Sequence, residues 1–203
     1  MFENIYNRNK SEFELVCRGT AGNKLEPLLE YLSNSDFYYA PAAKSFHDNY
    51  PGGLYDHSKL LYSELYSLRA KMRKNWSDLE ILLIAFGHDL CKVNLYEANI
   101  DQYGVITYSY NPLMSDKGHG TESLSILASL IPDLINERIA VSIVCHMGLW
   151  TKDIPNICEY MRESQTKDDI VFFTHSADMI ASRIGKSAST VKLTDDKTDI
   201  IIG

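Results

Sequence analysis

His88 and Asp89 stand side by side where an apolar run ends, in LLIAFGHDLCKVNLY, residues 82–96. An imidazole and a carboxylate are costly to bury unless they are paired or bound to a metal. The other histidines are His47, His57, His119, His146 and His175. A single histidine on an apolar face is ordinarily a hydrogen-bonded core residue, and an isolated HD dipeptide carries little information. Here His57, His88 and His146 all fall on or at the end of inward helix faces. His119 heads another helix inside a glycine-rich loop. Asp178 lies mid-helix in the largely apolar DDIVFFTHSADMIASRIG, three residues after His175. Several inward histidines and two inward aspartates call for one explanation, and a divalent ion supplies it. Neutral imidazoles and carboxylates suit Mn, Fe, Co, Ni, Zn or Mg. Ligands contributed by different helices are how metal sites in bundle cores are built.

The elements that must position these residues are mostly helical. Helices are expected at 11–18 and 23–34, followed by a connector, SDFYYAPAAKSFHDNYPGG, punctuated by Pro41, Pro51 and Gly52–Gly53. A long helix at 54–74 carries Leu54, His57, Leu61, Leu65, Leu68 and Met72 on one face. Ser77 with Glu80 three residues on is a capping-box pattern that opens the helix leading to His88. Residues 94–111 alternate in their second half and carry turn chemistry at Asp101–Gly104, which predicts a small β-hairpin. The loop SDKGHG leads to a helix at 121–131. Pro132 breaks it, and the next helix, 133–147, places Ile139, Ile143 and His146 on one face. Pro155 precedes a short helix at 156–163. The last strong helix spans 167–185, and the Ser-, Thr-, Lys- and Asp-rich tail from Lys186 is expected to be loose. The fold class is therefore all-α, a helical bundle with a small β-hairpin insertion.

With 203 residues the chain suffices for one sizeable core. Its 45% apolar and 23% charged residues are ordinary for a folded protein. A formal charge of -7 argues against a broad basic surface for duplex nucleic acid. No apolar run approaches the 18 or so residues of a membrane span, and MFENIYNRNKSEFELV lacks the apolar stretch of a secretory signal. Cys17, Cys91, Cys145 and Cys158 form no CxxC pair, so reduced thiols and a cytoplasmic location are expected. Cys91 and Cys145 read as small packed residues.

Taken in order, GGLYDHS, HDLCK, GHG, CHMG and HSADMI resemble the metal-dependent phosphohydrolases of the HD-domain superfamily. The pattern H…HD…H…H…D falls on His57, His88, Asp89, His119, His146 and Asp178, and the similarity covers about residues 41–185. The resemblance implies an HD-domain bundle at 41–185, an N-terminal helical extension at 1–40 packed on it, and a tail at 186–203. Members that keep the two extra histidines typically hold two ions, so it implies a dinuclear centre. FHDNYPGGLYDHS also resembles a segment of HD-domain 3′→5′ exoribonucleases, whose pattern begins with two histidines; here the second is Asp48.

The chemistry implied is attack on phosphorus by a hydroxide generated at the metal centre. Asp89 is expected to bridge the two ions, because a carboxylate offers two oxygens where an imidazole offers one lone pair. The family pattern implies that His57, His88 and Asp178 complete one ion site and His119 and His146 the other. Lys92, one turn after His88–Asp89, is read both as a phosphate-binding catalytic residue and as a structural ion pair. His47 and His175 are candidates for substrate contact or for orienting ligands, against plain packed histidines. Arg183, five residues after Asp178, is expected on the surface. Tyr96, Tyr103, Tyr108 and Tyr110 of the hairpin are candidates to cover the site and stack on a base, against simple packing on the bundle. The expected substrate is a small nucleotide or phosphodiester. The alternatives are a single-strand nuclease and a non-catalytic, metal-stabilised module that binds a nucleotide or a protein.

Overall fold

In the computed structural model the described residues are 2–114, 118–151 and 156–184. The tail from Lys186, the SDK of the SDKGHG loop, Pro155 and the side chain of Cys158 lie outside them. The architecture is all-α with one two-stranded insertion. Helices α1 (Phe2–Ala21), α2 (Glu26–Ser33), α3 (Gly53–Met72) and α4 (Asp78–Gly87) precede the antiparallel hairpin of β1 (Tyr96–Ile100) and β2 (Ile106–Tyr110). Then come α5 (His119–Leu130), α6 (Glu137–Cys145), α7 (Ile157–Lys167) and α8 (Asp169–Ile184).

Helix α4 is the centre of the bundle. All eight residues from Glu80 to Gly87 are buried, and the helix packs against α3, α6, α1 and α5. An apolar surface on every side is what a helix enclosed by other helices requires. Its start is the expected capping box. Ser77 Oγ accepts from Glu80 N at 3.1 Å, and Ser77 N donates to Glu80 Oε2 at 2.7 Å. The other Glu80 oxygen accepts from Asn136 Nδ2 at 3.0 Å, while Asn136 Oδ1 caps α6 by accepting from Ile139 N at 2.9 Å. The same few polar atoms thus fix the starts of α4 and α6, the helices that end in His88 and His146.

Several expected boundaries shift for physical reasons. Helix α1 starts at Phe2, not near residue 11: Ile5, Asn9, Phe13 and Cys17 form one buried stripe. Asn9 hides that stripe in the sequence, yet it is buried because its Nδ2 donates to Tyr38 O at 2.7 Å. The 23–34 helix divides into a 3₁₀ turn, Gly22–Leu25, and α2, with Pro27 in the first turn of α2. The 133–147 helix likewise divides, because Ile135 is extended and Asn136 restarts the chain as an N-cap. On α3 the inward face ends before Met72, which is 51% exposed beside the left-handed Arg73.

Two motif glycines allow close backbone approaches. A Cβ on Gly53 would lie 1.9 Å from the carbonyl oxygen of Asp48, and one on Gly120 would lie 2.5 Å from that of Val144. The first lets the connector lie on the start of α3. The second lets α5, headed by His119, sit directly on α6. The hairpin packs against Tyr50 and Phe2 through Ile106, Tyr108 and Tyr96.

Candidate metal centre

Two helices present a histidine in the same way. His88 is the first residue beyond α4 and His146 the first beyond α6. Each donates its Nδ1–H to the carbonyl three residues back: Ala85 O at 2.8 Å and Ile143 O at 2.6 Å. A carbonyl only accepts, so Nδ1 carries a proton, and in the neutral form of each ring the lone pair lies on Nε2. That is the tautomer a metal ligand needs. Both rings are fully buried.

His57, on the inward face of α3, and Asp178, midway along α8, meet the first of these rings. His57 Nε2 lies 3.2 Å from His88 Nε2, 3.0 Å from Asp178 Oδ1 and 3.8 Å from Asp89 Oδ2. His88 Nε2 lies 3.2 Å from Asp89 Oδ2 and 3.9 Å from Asp178 Oδ1. Four nitrogen and oxygen donors held tetrahedrally at ordinary zinc-type bond lengths stand ~3.3 Å from one another. The spacing of His57, His88 and Asp89 therefore suits one small cation, with Asp178 beside His57 as a further donor.

Asp89 also faces a second group. Its Oδ1 lies 3.6 Å from His146 Nε2, and neither atom has a hydrogen-bond partner although both are buried. Buried polar atoms are rarely left this way, and a lone pair facing a carboxylate oxygen is what a cation between them would satisfy. Asp89, Cys91 and His119 form a further set of donors, all within 4.8 Å of one another. Cys91 Sγ touches His119 Nδ1 at 3.2 Å, and Cys91 N donates to Ser123 Oγ at 3.1 Å. One oxygen of Asp89 thus faces each side, and the donor chemistry fits metal binding.

Lys92 completes the charge balance. Its Nζ lies 2.7 Å from Asp89 Oδ2. Burial works against ionising Asp89, but the Lys92 ammonium and His88 outweigh it and hold the carboxyl well below the usual carboxylate range. Burial would lower Lys92, and Asp89 reverses this and raises it. Burial likewise opposes ionisation of Asp178, and the hydrogen bond from His57, with the His88, His57 and His146 rings nearby, holds it down. Of the two readings of Lys92, the structure shows the ion pair. Burial, then the negative charge of Asp89, pushes the Cys91 thiol up to about 12.

These groups floor a cleft of about 510 Å³ lined by His47, His57, Asp89, Lys92, His119, His146 and Asp178. His47 Nδ1 lies 3.6 Å from Asp48 Oδ2, which is also 3.8 Å from His57 Nδ1. His47, Asp48 and His57 make another group with metal-ligand spacing. His175 is not among the cleft residues. Its Nδ1–H donates to His146 O at 2.6 Å and so holds the backbone beside that ring.

Some expectations change. Arg183, expected on the surface, is exposed as expected and also lines the cleft. None of Tyr96, Tyr103, Tyr108 and Tyr110 lines the cleft, and Tyr108 is buried in the hairpin's own apolar cluster. Cys91 is buried as expected but also touches His119, which a sequence without CxxC spacing does not signal. Phe46, Met147, Trp150, Met179 and Ser182 also line the cleft and were not singled out in the sequence. Among the described residues no helix is long and apolar enough to cross a membrane.

No protein-family model, curated protein or solved structure matches this chain.

Proposed function

We propose that the chain is a metal-dependent phosphohydrolase of the HD-domain type, acting on a phosphate ester or phosphodiester of a small nucleotide. One observation carries the reading: Asp89 turns one carboxylate oxygen to His57 and His88 and the other to His146, so that two sets of donors share one residue. His57, His88, Asp89 and Asp178 would hold one divalent ion. Asp89, His119 and His146 would hold the second. When bound, such ions supply a nucleophilic hydroxide at neutral pH and stabilise charge on the phosphoryl oxygens.

The chain's own groups do the rest. Asp89 and Asp178 stay ionised, as ligands must. The carbonyls of Ala85 and Ile143 keep the His88 and His146 lone pairs turned inward. Lys92 neutralises Asp89 and lies in the cleft wall, where a phosphate oxygen would meet it. Arg183 adds a second positive group to that wall. His47 stands in the same wall as a candidate proton donor to the leaving oxygen.

The test is a phosphate-release screen. Protein loaded in turn with Mn, Co, Fe, Ni, Zn or Mg is offered nucleotides and bis-p-nitrophenyl phosphate. Turnover that disappears in Asp89→Ala supports the reading. Metal binding without release of phosphate under any ion would replace it with a binding module. Metal content by elemental analysis tests the dinuclear form: His146→Ala should lose one ion and keep the other, and unchanged content would remove the second site.

A further inference from the structure

The cleft has a different chemistry at its mouth. Phe46 and Trp150 both line it, yet they are 76% and 60% exposed. Phe46 belongs to the connector ahead of α3, one residue before His47. Trp150 ends the 3₁₀ turn Gly148–Trp150 that follows His146. The two aromatic side chains thus come from the segments that precede His57 and follow His146. Met147 and Met179 line the same space, with Arg183. Thioethers adapt to flat apolar ligands, and guanidinium groups attract phosphate.

We propose that Phe46 and Trp150 form a stacking platform for the base of a free mononucleotide, with its phosphate directed to Lys92 and the His/Asp centre. The cleft's lining combines cationic and metal-ligating groups with two exposed aromatic rings, so it fits a ligand with an anionic group and a flat π-face. Its volume of about 510 Å³ lies within the ordinary range for small-molecule sites. The net charge of -7 favours a small ligand over a polyanionic strand. The direction of the phosphate rests on the phosphohydrolase reading; the stacking itself requires no ion.

The chain carries its own probe. Its other tryptophan, Trp76, is 3% exposed and packs against Phe173 with ring centroids 5.5 Å apart. Cleft-dependent changes in tryptophan emission therefore report Trp150. The metal-free 203-residue chain is titrated with adenosine 5′-monophosphate, ribose 5-phosphate and single-stranded oligoadenylate. Saturable quenching by the mononucleotide and none by ribose 5-phosphate is expected. Trp150→Leu should abolish the response, and Phe46→Ala should weaken the mononucleotide's Kd about 5- to 150-fold. Both side chains are exposed, so both variants should keep the wild-type Tm. Equal responses to the mononucleotide and ribose 5-phosphate would overturn the platform, as would an unchanged Kd in Phe46→Ala or a response to the oligonucleotide alone. Quenching without hydrolysis under any metal supports the platform and removes the phosphohydrolase reading. Equal kcat/KM for base-bearing and base-free phosphate esters in active enzyme removes the platform alone.

Discussion

On α3, Tyr55 and His57 sit two residues apart, each 1% exposed, and face opposite kinds of neighbour. Tyr55 joins an aromatic cluster with Phe13, Phe37, Tyr38 and Phe86, at centroid distances of 5.7–6.5 Å. His57 faces His88, Asp89 and Asp178. The two regions are equally dry and share α3 and α4, but they are completed differently. The aromatic side is held mainly by shape, through edge and tilted ring contacts, although the Tyr38 hydroxyl is buried there without a hydrogen-bond partner. The polar side leaves Asp89 Oδ1 and His146 Nε2 without hydrogen bonds. The difference teaches that the first region stabilises the fold, while the second draws on that stability to hold charged groups in place.

The strongest way to break this comparison is Asp89→Ala. It removes the carboxylate common to both sets of donors and leaves Lys92 buried without its ion pair. Breaking a buried pair in this way costs about 3–5 kcal/mol. Denaturant unfolding should show that loss, and elemental analysis should show metal content falling to background. Phe13→Ala should cost a similar 3–5 kcal/mol, about what a buried phenylalanine contributes. Its folded fraction should nevertheless bind metal at the wild-type stoichiometry. Loss of metal per folded molecule in Phe13→Ala would mean that the two regions are one.

Asp36 sharpens the comparison from the apolar side. Burial pushes its carboxyl up to about 6 despite the hydrogen bond from Asn94 N at 2.6 Å. The folded state therefore binds a proton there that the unfolded chain releases nearer pH 4. The stabilisation is fully present below the unfolded value and is lost as pH rises through about 6. Asp36→Asn keeps an acceptor for Asn94 and cannot ionise. Relative to wild type it should gain about 2–3 kcal/mol between pH 4 and pH 7, measured by denaturant unfolding across that range. A constant difference would show that Asp36 is not the group responsible. The smallest effect is expected at Cys91. Cys91→Ser shortens the reach to His119 Nδ1 and should weaken metal affinity about 10- to 100-fold with little change in apo stability, as calorimetric titration would show.

Legibility follows the same division. Ser77 and Glu80 could be read as a cap because their bond closes within one turn, and the hairpin could be read from alternation and its turn. The six candidate ligands could be picked out because imidazole and carboxylate are conspicuous among apolar neighbours. What the sequence could not show is partnership at a distance. Asn9 reads as a break in an apolar stripe until Tyr38 O accepts its proton. Cys91 reads as filler until α5 brings His119 against it. Phe46 and Trp150 carry no mark in the sequence, because exposure is a property of the assembled bundle. The extended Ile135 interrupts a periodicity that would otherwise run through it.

The bonds from His88 to Ala85 O and from His146 to Ile143 O have a dynamic consequence. A helix leaves its last carbonyls without internal amide donors, and the final turn is where it frays. In α4 and α6 an imidazole occupies one such carbonyl. Opening of either last turn would therefore release the ring, and a ring held from its other nitrogen would keep the turn closed. Ion binding should then appear as slower hydrogen exchange at the amides near the ends of α4 and α6, with the middle of α1 unchanged.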